Sequence, residues 1–236
     1  MKDVTLITIN WNQQKVMELL LKSFVKFHYK NEKLNLLLVD NGSDDNSKQW
    51  LIENNIPFIS LNENIGHEQA INHIYPMIKT KYALIVDTDI LFLKNVYDEY
   101  LPLFNEETKL IGEYLDSNPQ LVPRVGAWFF FYDIEAMRNK NVNTFRDTEN
   151  WSYDVGSWQT EKIIQNGFKI HKIPLVGGHQ DRDIYGMVYD THIHFVRVSW
   201  NLNNHGDRTD EVLKRRKFII DKVNEYSDID LKNKFI

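Results

Sequence analysis

Cysteine is absent from this 236-residue chain. Its absence excludes disulfides, thiolate metal sites and cysteine nucleophiles together. Glycine is scarce, with 10 residues in all, and neither G-x-G-x-x-G nor G-x-x-x-x-G-K-[ST] occurs. A phosphorylated ligand would therefore not be cradled by the backbone amides of a glycine loop. No apolar run approaches the roughly 20 residues of a membrane-spanning helix. The opening residues MKDVTLITIN lack the build of a secretory leader, so a cytoplasmic location is expected. Positive charge is not in excess either. The net charge of −5 speaks against nucleic acid as a partner. The basic run Lys214–Lys217 leaves a peripheral contact with anionic membrane or phosphates open, although most such runs are solvated helix faces.

What is present is an ordinary globular composition, 42% hydrophobic and 26% charged, with the length for one domain and a C-terminal extension. The first part alternates between two periods. Val4–Ile9, Leu34–Val39, Pro57–Leu61 and Tyr82–Val86 read as strands. Between them lie helical patterns starting at Asn12 as N-cap, at Ser47–Asn54 and at Glu68–Ile78. This β-α-β-α-β-α-β order predicts an α/β fold, a mostly parallel sheet flanked by helices. Later segments add strands at Val125–Tyr132, Lys169–Pro174 and His192–Val198, and helices at Ser157–Asn166 and Thr209–Tyr226. The last helix is expected to turn Val212, Ile219, Ile220 and Val223 inward, and the tail beyond it is polar.

Right-handed crossovers place the carboxyl ends of parallel strands on one edge, where ligands of open α/β sheets bind. Polar clusters fall there after each of the early strands: Asn10-Trp11-Asn12, Asp40-Asn41-Gly42-Ser43, Asn62-Glu63-Asn64 and Asp87-Thr88-Asp89. With no glycine loop, a divalent cation on carboxylates is the remaining way to neutralise a diphosphate. D-x-D alone is weak, since Asp181-Arg182-Asp183 and Asp228-Ile229-Asp230 repeat it. Only the copy at Asp87 and Asp89 directly follows an apolar strand.

The ordered segments VTLITINWN, LLLVDNGSDDNS, LNENIGHEQAINH and YALIVDTDILFL resemble the nucleotide-sugar half of GT-A fold glycosyltransferases of the family 2 type. The resemblance implies a GT-A (Rossmann-like) single domain over 1–236, with a nucleotide-sugar-binding half at 1–95, an acceptor and catalytic half at 96–205, and a helical extension at 206–236. It implies a metal-dependent transfer from a nucleotide-diphosphate sugar, UDP-linked, to a hydroxyl acceptor, whether glycan, lipid-linked or small molecule. Asp40 would then accept from the nucleobase, Asn10 and Trp11 would line its pocket, and Asn64 and Gly66 would lie near ribose and diphosphate. Asp87 would contact ribose or metal-bound water, and Asp89 would bind Mn2+ or Mg2+. An ordinary turn also fits Asp40-Asn41-Gly42-Ser43.

An inverting transfer needs a base for the acceptor hydroxyl. The family sets it in an Glu-Asp pair before a helix; here Tyr153-Asp154 stands there, making Asp154 the candidate, with Glu161 in reserve. Asp154 also reads simply as an acid favoured at a helix N-terminus. Some relatives complete the metal site with a late histidine, which points to His194 ahead of His192, although a strand histidine can equally be a core residue. Arg197, Arg208, Lys214, Arg215 and Arg216 are possible supplementary cations. Trp128, Phe129, Trp151 and Trp158 could stack against an acceptor or belong to the core. Two other readings remain open: a nucleotidyltransferase of the same fold, which would bring a basic, glycine-rich first loop, and a non-catalytic nucleotide- or carbohydrate-binding domain.

Overall fold

The computed structural model describes residues 3–116, 120–140, 153–177, 186–195 and 209–236, with side chains from 213 onward in the last segment. Strands β1 (Val4–Asn10), β2 (Asn35–Asn41), β3 (Ile59–Leu61) and β4 (Tyr82–Val86) alternate with helices α1 (Gln14–His28), α2 (Ser47–Glu53) and α3 (His67–Ile74). Then follow β5 (Ile90–Phe92), α4 (Val96–Tyr100), β6 (Thr108–Leu115), β7 (Arg124–Asp133), α5 (Ile134–Asn139), α6 (Ser157–Gln165), β8 (Lys169–Lys172), β9 (Met187–Val188), β10 (His192–His194) and α7 (Thr209–Glu225).

The main sheet has seven strands in the order β3-β2-β1-β4-β7-β6-β8. Its strands are parallel except β7, which is antiparallel to β4 and β6. A small antiparallel sheet, β5-β10-β9, sits beside it. The fold is thus the α/β, mostly parallel architecture expected from the alternating periods.

Side chains alternate across the pleat and fill two cores. Leu6, Leu38, Leu84 and Val86 face α1, where Met17, Leu20, Leu21 and Phe24 recur at helical spacing. Ile7, Ile9, Val39, Ala83 and Ile85 face Ala70, Ile71 and Ile74 of α3, Met137 of α5 and Ile163 of α6. A third cluster joins Val16 and Leu19 on the outer side of α1 to Ile219 and Val223 of α7 and to Tyr226 just beyond it. Burying one such aliphatic side chain contributes about 1.5–3 kcal/mol, so β4 is a stiff support for the acids at its end.

Several expectations are corrected. Asn12 is not the N-cap of α1: it has a left-handed φ of 55° and its Oδ1 accepts from the amides of Asp44 and Asp45, while Gln13 takes the cap position without a side-chain bond. The helix expected to reach Ile78 gives way after Ile74 to a 3-10 turn at Tyr75–Met77, where Pro76 has no amide to continue it. Ile220 is 46% exposed, because it lies off the stripe formed by Ile219 and Val223; the side chain of Val212 lies outside the described residues. The tail also differs: Leu231 and Phe235 are buried, the Leu34 and Leu36 amides donate to the Lys234 and Ile236 carbonyls, and the Ile236 amide donates to the Leu34 carbonyl. Trp151, Arg197 and Arg208 lie outside the described residues, as do positions 181–183 of the second D-x-D.

Glu18 of α1 is buried and paired with Lys22 at 3.0 Å and Lys15 at 2.9 Å. Burial pushes its carboxyl up, but the hydrogen bonds and charges of both lysines outweigh this and hold it below its ordinary value of 4.5. A depressed acid stabilises the fold above the unfolded-state value, and that contribution is lost as pH falls through the lower folded value. Wild type is therefore expected to lose stability below pH 4.5 more steeply than Glu18→Gln, as read by urea unfolding at stepped pH.

Candidate active site

The carboxyl ends of β1, β2, β3 and β4 share one edge of the sheet, and the polar clusters meet there. Asp40, at the end of β2, is fully enclosed. Its Oδ1 accepts from the Ser43 amide at 3.0 Å and its Oδ2 from Asn10 Nδ2 at 3.1 Å. Lys48 Nζ lies 3.7 Å from Oδ1. The opposite atom of the Asn10 amide, Oδ1, is buried with no hydrogen bond to a described residue. Trp11, next in the chain, is 46% exposed.

Asn41, which sequence reasoning passed over, ties two loops together. Its Nδ2 donates to Asn64 Oδ1 at 2.8 Å and to the Gly66 carbonyl at 3.3 Å, and its Oδ1 accepts from the Ile65 amide at 3.1 Å. Asn64 Oδ1 also accepts from the Gly66 amide at 2.9 Å. Gly66 itself, with φ 89°, is the residue before the first turn of α3.

Asp87, Thr88 and Asp89 form the bend between β4 and β5. Asp89 and Thr88 are buried, and Asp87 is half-buried. Register brings in the third group: β10 pairs with β5, His194 opposite Ile90, and the Phe195 amide bonds to the Asp89 carbonyl. His194 Nε2 thereby lies 3.5 Å from Asp89 Oδ1. One ligand atom each from Asp87, Asp89 and His194 falls within a 4.8 Å span. Two hard carboxylates and one imidazole form a donor set that fits a divalent ion, with Mn2+ better suited to the nitrogen than Mg2+.

His67, at the start of α3, lies with Nε2 3.3 Å from Asp87 Oδ1. Burial works against a charged His67, but the hydrogen bond and charge of Asp87, with the charges of Glu68 and Asp154, raise its pKa. Burial likewise pushes Asp87 up, while His67, and the charge of His194, hold it below its ordinary value.

Behind His194 lies a buried hub that the sequence did not disclose. Glu113 of β6 accepts from Tyr189 Oη at 2.6 Å, from His192 Nε2 at 3.0 Å and from Trp128 Nε1. His192 is sandwiched between the Phe129 ring at 4.1 Å and the Tyr189 ring at 4.7 Å. Phe129 is therefore core and no acceptor platform. Trp128 stacks on His194 at 5.3 Å. Burial raises the Glu113 carboxyl, but the His192 hydrogen bond, the charges of His194 and His192, and the Tyr189 hydroxyl hold it below its ordinary value. Burial also lowers His192, against the pull of Glu113.

Asp154 stands in the turn before α6. Its Oδ2 takes Arg124 Nη2 at 2.7 Å and its Oδ1 takes the Val155 amide at 2.8 Å. Asp154 itself is half exposed, whereas the Arg124 side chain is only 8% exposed. The turn closes on β7 because Gly156, φ 93°, has no Cβ; one would lie 2.3 Å from the Val125 carbonyl oxygen. Glu161 accepts from Tyr153 Oη at 3.1 Å, and Lys162 lies over the Trp158 ring at 4.3 Å. Arg215 is buried.

Residues 5–159 match the family model described as glycosyl transferase family 2. The chain belongs to that family, whose match covers the sheet edge and extends to the turn carrying Asp154. Among individual relatives, the chain is 29% identical over 160 residues to the teichoic acid poly(glycerol phosphate) polymerase of Staphylococcus epidermidis, spanning 61% of this chain and 20% of that protein. Among solved structures, a mannosyltransferase from Pyrobaculum calidifontis in complex with GDP-Man and Mn2+ superposes with a TM-score of 0.59 at 17% identity, over 73% of this chain and 55% of that one. S. aureus TarS, residues 1–349, gives 0.56 at 15% identity, over 96% of this chain and 71% of that one. TarS has also been solved in complex with UDP-GlcNAc, at TM-score 0.53. These likenesses establish a shared GT-A fold. Among the described residues, no helix is long and apolar enough to cross a membrane.

Proposed function

We propose that this chain transfers a sugar from a nucleotide-diphosphate donor, UDP-linked, to a hydroxyl acceptor, with a divalent cation held by Asp89, Asp87 and His194. The observation that carries the reading is the convergence of those three ligand atoms within 4.8 Å at the ligand edge of the sheet. Membership of glycosyl transferase family 2 supports it, as does a fold neighbour solved with GDP-Man and Mn2+. When bound, the cation would neutralise charge on the departing nucleotide diphosphate.

The remaining roles fall to the chain's own groups. Asp40 and Asn10, with the unfilled Asn10 Oδ1 beside Trp11, receive the nucleobase. Asn64 and Gly66, fixed by Asn41, line the ribose and diphosphate. Asp154, oriented by Arg124, accepts the proton of the acceptor hydroxyl as it attacks, and the sugar inverts. Residues 1–95 serve the donor and 96–205 the acceptor, within one unit, and the enzyme works from the cytoplasmic pool of activated sugars.

A donor screen by nucleotide release, with Mn2+, Mg2+ or EDTA, tests the proposal. Release that ignores EDTA would overturn the metal assignment. Asp154→Asn is expected to lower transfer by about 100- to 10,000-fold, the usual span for a general base, while leaving UDP and Mn2+ affinity near wild type. Full transfer by Asp154→Asn would remove it as the base.

A further inference from the structure

We infer that His28 is an acid-sensitive clasp: its neutral ring ties α1 to the segment running from β5 into α4, and a second proton on that ring opens the tie. His28 is the last residue of α1 and is 5% exposed. Its Nδ1 lies 2.8 Å from the Phe24 carbonyl oxygen, and its Nε2 accepts from the Val96 amide at 3.1 Å. These main-chain partners cannot exchange roles, since a carbonyl only accepts and an amide N–H only donates. Nδ1 therefore carries the proton and Nε2 the lone pair. An imidazolium has a proton on both nitrogens, so it would set one N–H against another at Val96 and lose that bond.

The ring is boxed by aromatics: it stacks on Phe24 at 4.3 Å and meets Tyr97 at 4.8 Å and Phe92 at 5.1 Å edge to face. Charged and titratable groups come from two sides. From α4 come Tyr97, whose hydroxyl burial pushes well above its ordinary value, and Asp98, paired with Lys30 at 3.0 Å. From the chain after α1 come Lys30, Glu32 and Lys33, which with His28 and Tyr97 line a cavity of about 260 Å3. Whatever field these groups supply, Nε2 can take a proton only after the Val96 N–H has left it. A second tie beside it does not titrate: Ser23 Oγ donates to the Leu20 carbonyl at 2.9 Å and accepts from the Phe92 amide at 3.1 Å. An ordinary histidine gains its second proton near about pH 6.5. Opened, His28 binds that proton; clasped, it does not. Acid therefore favours the open form by about tenfold per pH unit below that value. Only the consequence for the donor site rests on the metal reading proposed above: β5 follows Asp89 directly and pairs with the strand that carries His194.

Amide hydrogen exchange followed by NMR tests the clasp with no metal and no turnover. Corrected for the intrinsic pH dependence of exchange, protection of the wild-type Val96 amide is expected to fall about tenfold per pH unit from about pH 6.5 to about pH 5. His28→Gln, which offers a carbonyl acceptor but does not titrate, is expected to start with lower protection and to hold it level over that range. Long-range 1H–15N correlation is expected to show wild-type His28 at neutral pH protonated at Nδ1 alone. Level Val96 protection in wild type would overturn the inference. So would a His28 that gains its second proton while Val96 stays protected, a result read whether or not the variant folds. Equal slopes in wild type and folded His28→Gln would assign the acid sensitivity to another group and overturn it too. The metal reading fails separately, through Mn2+ binding that ignores Asp89→Ala, and its failure leaves these amide measurements unchanged.

Discussion

Asp89→Ala is expected to bind no Mn2+ and to release nucleotide at least about a thousandfold more slowly than wild type. A bound cation supplies several kcal/mol of charge stabilisation to a departing diphosphate, and each ~1.4 kcal/mol is a factor of ten. Asp89 is the ligand with the least freedom: it is 3% exposed, its carbonyl is fixed by the Phe195 amide, and it faces His194 at 3.5 Å. Asp87 differs, because His67 holds one of its oxygens at 3.3 Å. Asp87→Ala should therefore weaken donor binding and metal binding together, while Asp89→Ala acts first on the metal. Nucleotide release across a Mn2+ series reads both. Wild-type rates in Asp89→Ala would remove the cation from the account.

Gly42→Ala is expected to destabilise the protein by ~2–5 kcal/mol, combining the strain of a left-handed alanine with overpacking. Gly42 has φ 75°, and an added Cβ would lie 2.4 Å from the Glu63 carbonyl carbon, 2.6 Å from its Cα and 2.7 Å from the Asn64 nitrogen. All three are backbone atoms, so no rotamer change relieves the clash and the two loops must part. The Asn41 bonds to Asn64, Ile65 and Gly66 span that same gap, so UDP affinity should fall with stability. Gly66→Ala is the control. Its φ is 89°, but a Cβ there meets nothing within 4 Å, so it carries the backbone cost alone, ~1–3 kcal/mol. Urea unfolding and calorimetric titration with UDP measure both variants; equal losses for the two would mean the loop contact is not tight.

The parallel half of the fold was legible because each early strand is a short apolar run followed by polar residues, and its helices carry apolar side chains at helical spacing. Asp87 and Asp89 stood out by their place directly after an apolar strand, whereas His194 was set ahead of His192 only by the resemblance to enzymes with a late histidine, since an i, i+2 pair shares one strand face. What stayed hidden depends on contacts distant in sequence. β6 reads as TKLIGEYL, where a glycine and a glutamate interrupt the apolar pattern, so the strand was missed and Glu113 with it. The partners of Glu113 lie 15, 76 and 79 positions away, and no local spacing announces them. Asn41 looked like part of a turn, since its partner Asn64 is 23 residues further on. Nothing near His67 in the chain reveals its pairing with Asp87.

The most direct test is a crystal grown with Mn2+ and UDP, examined by anomalous scattering at the manganese edge. The account predicts a single manganese peak at ligand distance from Asp89 and His194, against the UDP diphosphate. Bound UDP with no manganese at that position, or manganese held by other residues, would contradict it.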